Sequence, residues 1–443
     1  MRKITLLALL ISAFTTRADL LTALQAYDKK DFAKAAVEFN QLIPLASDQA
    51  AFNLGAMAYN GEGQPRDLVK ALSYFEFAAS RQHTEAKTLA DKIRPTLSAA
   101  QLAQADAALQ LLQQQVQVDQ ASDKALAAMA EPDRLPLKRV PPQYPKKAAS
   151  LGVFGSVTMR LLINEQGDVE AVDVLNAYPK GLFENDAVRA LKRWKYQPGD
   201  SKSISRVMLT FSIGEIDHRK VQRIFTEHKL WEFSALGSPT HQNALANVLQ
   251  LARTQSDSTQ FVDKTLPPAL GPLNREFVAE AKTVANELNL PAGYQLDTFV
   301  SLDEKGVVTA VHDDNPERLQ QASAILLHKQ LTHQDVPAGF YRLQSAFAKK
   351  SARLRQAQRI PQTYSNDYWL EQAARGGNLD AQRALAALQP EWEMYLLKQQ
   401  DPVVQSWAGT RLILDGKKAE GEKLLDAAIA KGHATAKELK AVL

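Results

Sequence analysis

PPQYPKKAASLGVFGSVTMRLLINEQGDVEAVDV, Pro141 to Val174, decides how this chain is read. Two prolines, the run Gln143-Tyr144-Pro145 and Lys146-Lys147 lead into apolar residues alternating at Val157, Met159, Leu161 and Ile163. A period of two predicts a strand with one buried face. Asn164-Glu165-Gln166-Gly167-Asp168 is a polar turn with glycine for positive φ, and Val169 to Leu175 is expected to return as a second strand. Beyond Pro179 and Gly181, the residues Phe183, Ala187, Ala190, Leu191 and Trp194 fall on one helical stripe, which Gln197-Pro198-Gly199 is expected to stop. Val207, Leu209, Phe211 and Ile213 alternate again. The expected order is strand, strand, helix, strand.

The rest of the chain reads mostly as helix. At 443 residues it is too long for one core, and three or four units are expected. Hydrophobic residues at 45% and charged residues at 23% are ordinary for a soluble globular protein. A net charge of +4 is too small to argue for nucleic acid. At the start, Arg2 and Lys3 precede the apolar run Ile4 to Phe14, and Ala18 follows shortly after. Those features predict a secretory signal peptide over 1–18, cut after Ala18. As a helix the apolar run reaches only about 17 Å, roughly half the hydrocarbon thickness of a bilayer. With no cysteine anywhere, neither a disulfide nor a lipidated thiol is possible. An exported protein is expected.

From Asp19 to Pro95 the pattern is helical and repetitive. Phe52, Leu54, Met57 and Tyr59 recur at helical spacing, Gly61-Glu62-Gly63 breaks the run, and Asp67 is placed to cap a second helix carrying Leu68, Leu72, Phe75 and Ala79. Gly55 and Ala58 are small enough for two helices to approach closely. Leu54-Gly55, Tyr59, Gly61, Gly63, Asp67, Lys70-Ala71 and Ala78-Ala79 resemble a SEL-type repeat, a relative of the tetratricopeptide repeat, with Gln82 near the expected last glycine. Such a pair needs stacked neighbours to bury its apolar face. Trp369 to Ala386 and Ser406 to Leu439 carry similar patterns, so SEL-type repeats are expected over 19–95 and 349–443. The resemblance implies protein partners on these helices. Thr96 to Ala130, rich in Gln and Ala, predicts a long helix capping the solenoid, and the prolines in Glu131 to Pro136 place a linker, so that 96–137 reads as helix plus linker.

The opening stretch resembles the C-terminal domain of TonB-family energy transducers. The matching residues are Tyr144-Pro145, Ala148, Gly152, Gly155-x-Val157, Gly167, Phe183, Ala187 and Trp194-x-Tyr196-x-Pro198-Gly199, within a unit placed at 138–214. The resemblance implies a ββαβ fold in which a free strand edge takes an added strand. It also implies a partner, the TonB-box segment of an outer-membrane TonB-dependent receptor or another TonB-system protein, in transport such as iron uptake. Carried over residue by residue, the partner-binding set is Gln143, Tyr144, Pro145, Lys146, Arg206, Val207, Leu209 and Phe211. Gly167, Trp194, Tyr196 and Pro198 are structural in this unit, as are Gly55, Gly61 and Asp67 in the repeats. Lys138, Arg139, Lys146, Lys147, Arg189, Lys192, Arg193, Lys195 and Arg206 favour an acidic partner or form a solvated face. The chain departs from the family in having no adequate N-terminal membrane span, no His before His83 and no long Pro-rich spacer, so direct coupling to an ExbB–ExbD motor is not expected.

A second, degenerate copy is expected at 291–348, where Leu302-Asp303-Glu304-Lys305-Gly306 and Val308 parallel Ile163-Asn164-Glu165-Gln166-Gly167 and Val169. An unrelated hairpin and helix is the alternative. Residues 215–290 read as a helical connector, with helices over Ile216 to Leu251 and Leu273 to Leu288. The fold class is thus α+β and multidomain, with helical repeats at both ends. No enzyme is expected. His328 and His333 are five apart, off the spacing that puts two ligands on one helical face, and no Gly-x-Ser-x-Gly or phosphate loop occurs. No catalytic residue, metal or cofactor is assigned. The expected function is a periplasmic accessory of TonB-dependent transport in a Gram-negative bacterium, touching membranes only through its partners and binding no nucleic acid. The alternative is a periplasmic structural or assembly scaffold acting through its repeats.

Overall fold

The structure, a computed structural model, describes residues 19–81, 83–118, 134–214, 218–255, 276–285, 288–290, 298–312, 316–332, 336–346, 351–361 and 365–443. The expected signal peptide and Gln82 lie outside them. The chain divides into two units, Met1–Val118 with Arg375–Asn378, and Asp119–Ala374 with Leu379–Leu443.

The first unit is helical, comprising α1 (Leu20–Asp28), α2 (Phe32–Leu42), α3 (Asp48–Asn60), α4 (Leu68–Ser80), α5 (Thr84–Ile93) and α6 (Ala99–Gln115). The caps follow the expected chemistry. Asp67 Oδ1 accepts from Lys70 N at 2.9 Å, and Gly61 ends α3 at φ +76°. Gly55 lets α3 and α4 touch, since a Cβ there would come within 2.8 Å of the Phe75 ring. Leu54, Met57, Leu72 and Phe75 are buried as the periodicity requires. Tyr59, expected on that stripe, is exposed and lies under the Arg66 guanidinium. The long helix expected to run to Ala130 stops at Gln115, where Val116 turns extended, and residues 119–133 are not described. The turn Arg375–Asn378 belongs to this unit, with Gly376 accepting from Leu20 N at 2.9 Å and Arg375 donating to the Ala46 carbonyl at 3.0 Å.

In the second unit, after the short helix α7 (Lys146–Leu151), β2 (Gly155–Ile163), β3 (Val169–Tyr178) and β5 (Ser203–Phe211) form an antiparallel sheet in the order β3-β2-β5. Helix α8 (Glu184–Leu191) covers one face, where Val157, Met159, Leu161, Ile163, Phe183, Ala187, Leu191, Leu209 and Phe211 make the core. Two expectations change here. The helix ends at Leu191, so Trp194 is not on its stripe but leads into β4 (Lys195–Tyr196). The supposed linker is partly structure, for β1 (Pro136–Lys138) pairs with β4.

The strand expected to have one buried face has two. Leu162, Ala171, Leu175 and Ile204 point to the opposite side and meet Val403, Trp407, Leu425, Ala428, Ala436 and Leu439. Those residues come from α16 (Pro402–Leu414), α17 (Lys418–Ala430) and α18 (Ala434–Val442), preceded by α13 (Asn366–Arg375), α14 (Leu379–Ala386) and α15 (Pro390–Lys398). A third core joins Phe154 and the connector helices α9 (His218–Glu227), α10 (Leu230–Ala235) and α11 (Pro239–Gln255) to Trp369.

A five-stranded sheet follows the order β6-β10-β9-β7-β8. Its strands are β6 (Glu276–Ala285), β7 (Thr298–Leu302), β8 (Val308–His312), β9 (Gly339–Ala346) and β10 (Ser351–Pro361), with α12 (Pro316–Leu326) between β8 and β9. This overturns the helix expected over Leu273 to Leu288 within the connector and the repeats expected to begin at 349. Both segments are short runs whose composition suits helix or strand, and antiparallel pairing of β6 with β10 settles them as strands.

Trp407 and Asp173 tie the C-terminal helices to the sheet, so we expect Trp407→Ala to lower the stability of the second unit by about 3–5 kcal/mol in urea unfolding. Trp407→Phe, which keeps the ring and loses the N–H, is expected to fall between the two. A loss under about 1 kcal/mol for the alanine variant would show that this face is not held as described.

Candidate functional site

The segment entering the sheet is held from several sides. Arg134 spans the turns at the sheet's end, donating from Nε to the Gln197 carbonyl at 3.0 Å and from Nη1 to the Asn164 carbonyl at 2.9 Å and Ser203 Oγ at 3.2 Å. Its Nη2 reaches the Glu165 carbonyl at 3.3 Å. Trp194 is buried and donates from Nε1 to the Val140 carbonyl at 2.9 Å, with the Arg139 guanidinium over its ring. Trp194 therefore anchors the incoming chain to the end of α8. Tyr144 sets its ring edge-on to Phe183 and Phe211 and donates its hydroxyl to the Val153 carbonyl.

Gly167 is required at its position. Its φ is +89°, and a Cβ would stand 2.1 Å from the Tyr196 carbonyl. The Gly167 carbonyl accepts from Tyr196 N at 2.8 Å, and Gly199 N donates to the Glu165 carbonyl at 2.9 Å. The stretch Tyr196 to Gly199, with Pro198 inside it, is thereby laid across the turn between β2 and β3.

The expected partner-binding residues fall into two groups. Gln143 and Lys146 are exposed, Pro145 and Tyr144 half-buried. On β5, Arg206 is exposed and Val207 half-buried, while Leu209 and Phe211 are buried in the core beside Phe183. The side chains of Leu209 and Phe211 hold the sheet together, so what β5 presents there is its backbone. Ile213 lies past the strand and is exposed.

The two edges of the sheet differ. On the β3 side, Val172's carbonyl accepts from Thr435 Oγ1 at 3.5 Å, and Asn176 exchanges amide hydrogen bonds with Asn243 at 2.9 and 3.1 Å in a buried pair. On the β5 side, β5 pairs with β2, and no other strand pairs with it among the described residues. An unpaired strand border carries N–H and C=O groups arranged for another strand.

Much of the basic surface is matched within the chain. Lys192 meets Glu438 at 2.8 Å, Lys202 meets Glu170 at 2.6 Å and Arg189 meets Asp186 at 2.5 Å. Lys195 sits 2.6 Å from Asp168 and holds that carboxyl below the usual carboxylate range. Lys138, Lys146 and Lys147 are exposed on the surface. Burial pushes the phenols of Tyr178 and Tyr196 up to about 12. Among the described residues no cluster of metal-ligating side chains occurs, and no helix is long and apolar enough to cross a membrane. Sequence reasoning missed Arg134 altogether, since a lone arginine beside two prolines carries no periodic signal.

The family model described as the Gram-negative bacterial TonB protein C-terminal matches residues 140–213. Among curated proteins, the chain is similar to protein TonB of Escherichia coli (strain K12), 36% identical over 77 residues, which is 17% of this chain and 32% of that protein. Protein TonB of Salmonella typhimurium is 34% identical over 77 residues, again 17% and 32% of the two chains. Protein TonB of Pseudomonas aeruginosa is 26% identical over 95 residues, 21% and 28%. The chain spans about a third of the length of these relatives. A solution NMR structure of the Pseudomonas aeruginosa TonB CTD aligns over 91% of its own chain and 19% of this one, with 27% identity and a TM-score of 0.18. Residues 140–213 are thus a TonB C-terminal domain.

Two outcomes follow from this geometry. Arg134→Ala removes four donors from carbonyl and hydroxyl partners and is expected to cost about 1–3 kcal/mol in urea unfolding. The raised phenols give a pH test. Above about pH 10 the unfolded chain gives up tyrosine protons that the folded chain keeps, so stability falls as pH climbs through about 10 towards about 12. Tyr196→Phe is expected to flatten that fall, and it also removes a buried hydroxyl that has no hydrogen-bond partner among the described groups.

Proposed function

We propose that the chain is a periplasmic accessory of TonB-dependent outer-membrane transport, whose TonB C-terminal domain takes a segment of a receptor, or of another TonB-system protein, as an added strand on β5. The observation that carries this reading is that β5 is an edge strand, pairing with β2 alone among the described residues, in a sheet whose two faces are covered. Strand addition draws its affinity from backbone hydrogen bonds and its selectivity from alternate side chains. At this border successive side chains turn to opposite faces of the sheet, Val207 towards the core and Arg206 towards the other side, with Tyr144 and the exposed Gln143 and Lys146 at the entrance to the domain. The signal peptide read from the sequence places the mature protein outside the cytoplasm, beginning at Asp19.

The scaffold reading has less support in the C-terminal helices, because α16, α17 and α18 use their apolar faces on the sheet. The helices of the first unit remain candidates for protein partners.

The test is a titration of the full chain with a synthetic TonB-box peptide, followed by amide chemical shifts. We expect shifts concentrated in 203–211, and none with the same peptide carrying a proline at its centre, since proline removes a donor and breaks strand pairing. Equal binding of the two peptides, or shifts confined to the helices of residues 19–115, would refute strand addition. Mass spectrometry of the protein recovered from a periplasmic extract is expected to show Asp19 as its first residue.

A further inference from the structure

The five-stranded sheet contains the same unit a second time, matched at the level of individual hydrogen bonds. In the first unit, β2 and β3 pair as Leu162↔Ala171 and then slip at a bulge to Ile163↔Val169. In the second, β7 and β8 pair as Ser301↔Ala310 and slip at a bulge to Leu302↔Val308. The turns share two hydrogen bonds. Gly167 N donates to the Asn164 carbonyl and Gly306 N to the Asp303 carbonyl, each at 3.0 Å. Asn164 Oδ1 accepts from Asp168 N at 2.7 Å, as Asp303 Oδ1 accepts from Val307 N at 2.9 Å.

The return segments also coincide. Gly167's carbonyl takes Tyr196 N at 2.8 Å, and Gly306's takes Leu331 N at 2.9 Å. Just before those residues, isolated bridges join Asp168 to Lys195 and Val307 to Gln330. One helix then separates the hairpin from the third strand in both units, and the strand orders β3-β2-β5 and β8-β7-β9 are the same. Since a one-residue slip in a strand reverses every side chain, matching bulges and registers are a demanding coincidence for an unrelated hairpin.

The two units differ at one border. Strand β9, the counterpart of β5, is paired on its outer side with β10 from Tyr341↔Gln356 to Ala346↔Ser351, and β10 is followed by β6. Leu354 of β10 stands opposite Leu343 and is fully buried in a core with Val300, Leu302, Val308 and Tyr341. The border that β5 presents is, in the second unit, filled by the chain itself.

We propose that this protein carries two copies of one docking sheet, and that in the second copy β10 seals from within the border that corresponds to β5, so that a visiting strand takes this border in the first copy only. The sealing stands on the pairing just described, whereas the visitor at β5 rests on the proposed function. Pairing of β10 satisfies the backbone groups that an exposed β9 border would leave to any passing chain.

Amide hydrogen exchange on the full chain, resolved by residue, separates these statements. We expect the amides of 339–346 to exchange as slowly as those of 155–163, and alternate amides of 203–211 to exchange at least about a hundredfold faster. A saturating synthetic TonB-box peptide is expected to slow the fast set about tenfold or more, with one peptide bound per chain by calorimetry. Fast exchange at alternate amides of 339–346, or two equivalent peptides per chain, would overturn the sealed copy. A peptide that slows neither strand while 339–346 stays protected would remove the visitor and leave the sealed copy standing. Leu354→Pro supplies the converse: exchange at 339–346 is expected to accelerate while that at 203–211 is unchanged.

Discussion

Asp173 is a carboxylate on a strand face that two other elements cover, and its hydrogen bonds decide what the TonB C-terminal domain can do here. Trp407 Nε1 and His433 Nε2 both reach its Oδ2, at 3.2 and 2.8 Å. On the neighbouring strand Arg160 is its cross-strand partner and lies over the Trp407 ring. A carboxylate in such a place is costly unless its oxygens are satisfied. The C-terminal helices supply the partners, and in doing so they bring Val403, Leu425, Ala428 and Leu439 against the sheet. The outer face of the sheet is therefore a built interior.

Once both faces are covered, only the borders of the sheet are left for another chain. Those borders are β3, whose Val172 carbonyl accepts from Thr435 Oγ1 at 3.5 Å, and β5. Three of the nine basic residues that looked available for an acidic partner pair with carboxylates of the same chain, Arg189 with Asp186, Lys192 with Glu438 and Lys195 with Asp168. Each such exposed pair is worth little in stability. Lys146 and Lys147 are exposed at the start of the domain.

The central unit was legible because its signals are local. Alternation at Val157 to Ile163, the Gly167 turn and the strand at 203–211 need only neighbours in sequence, and a strand pattern over-reads an edge by a residue or two, as at Ile213. Trp194 was misplaced for the same reason: its spacing fits a helical stripe, yet its indole reaches back to Val140, and the turn after Leu191 lets it do so. The segments at 273–288 and 349–361 misled because a short run of mixed polar and apolar residues has no preference strong enough to resist pairing with a distant strand.

The amino-acid sequence alone determined the β unit, its turn glycine, the capped helices of the first unit and the kinship of residues 140–213 with TonB C-terminal domains. The tertiary structure alone decided that β2 is buried on both faces, that the leading segment is stapled by Arg134, and that β10 fills the outer border of β9. The reason is physical. Periodicity and turn chemistry are properties of adjacent residues, whereas the covering of a face or the pairing of an edge depends on groups hundreds of residues apart, as Asp173 and His433 are.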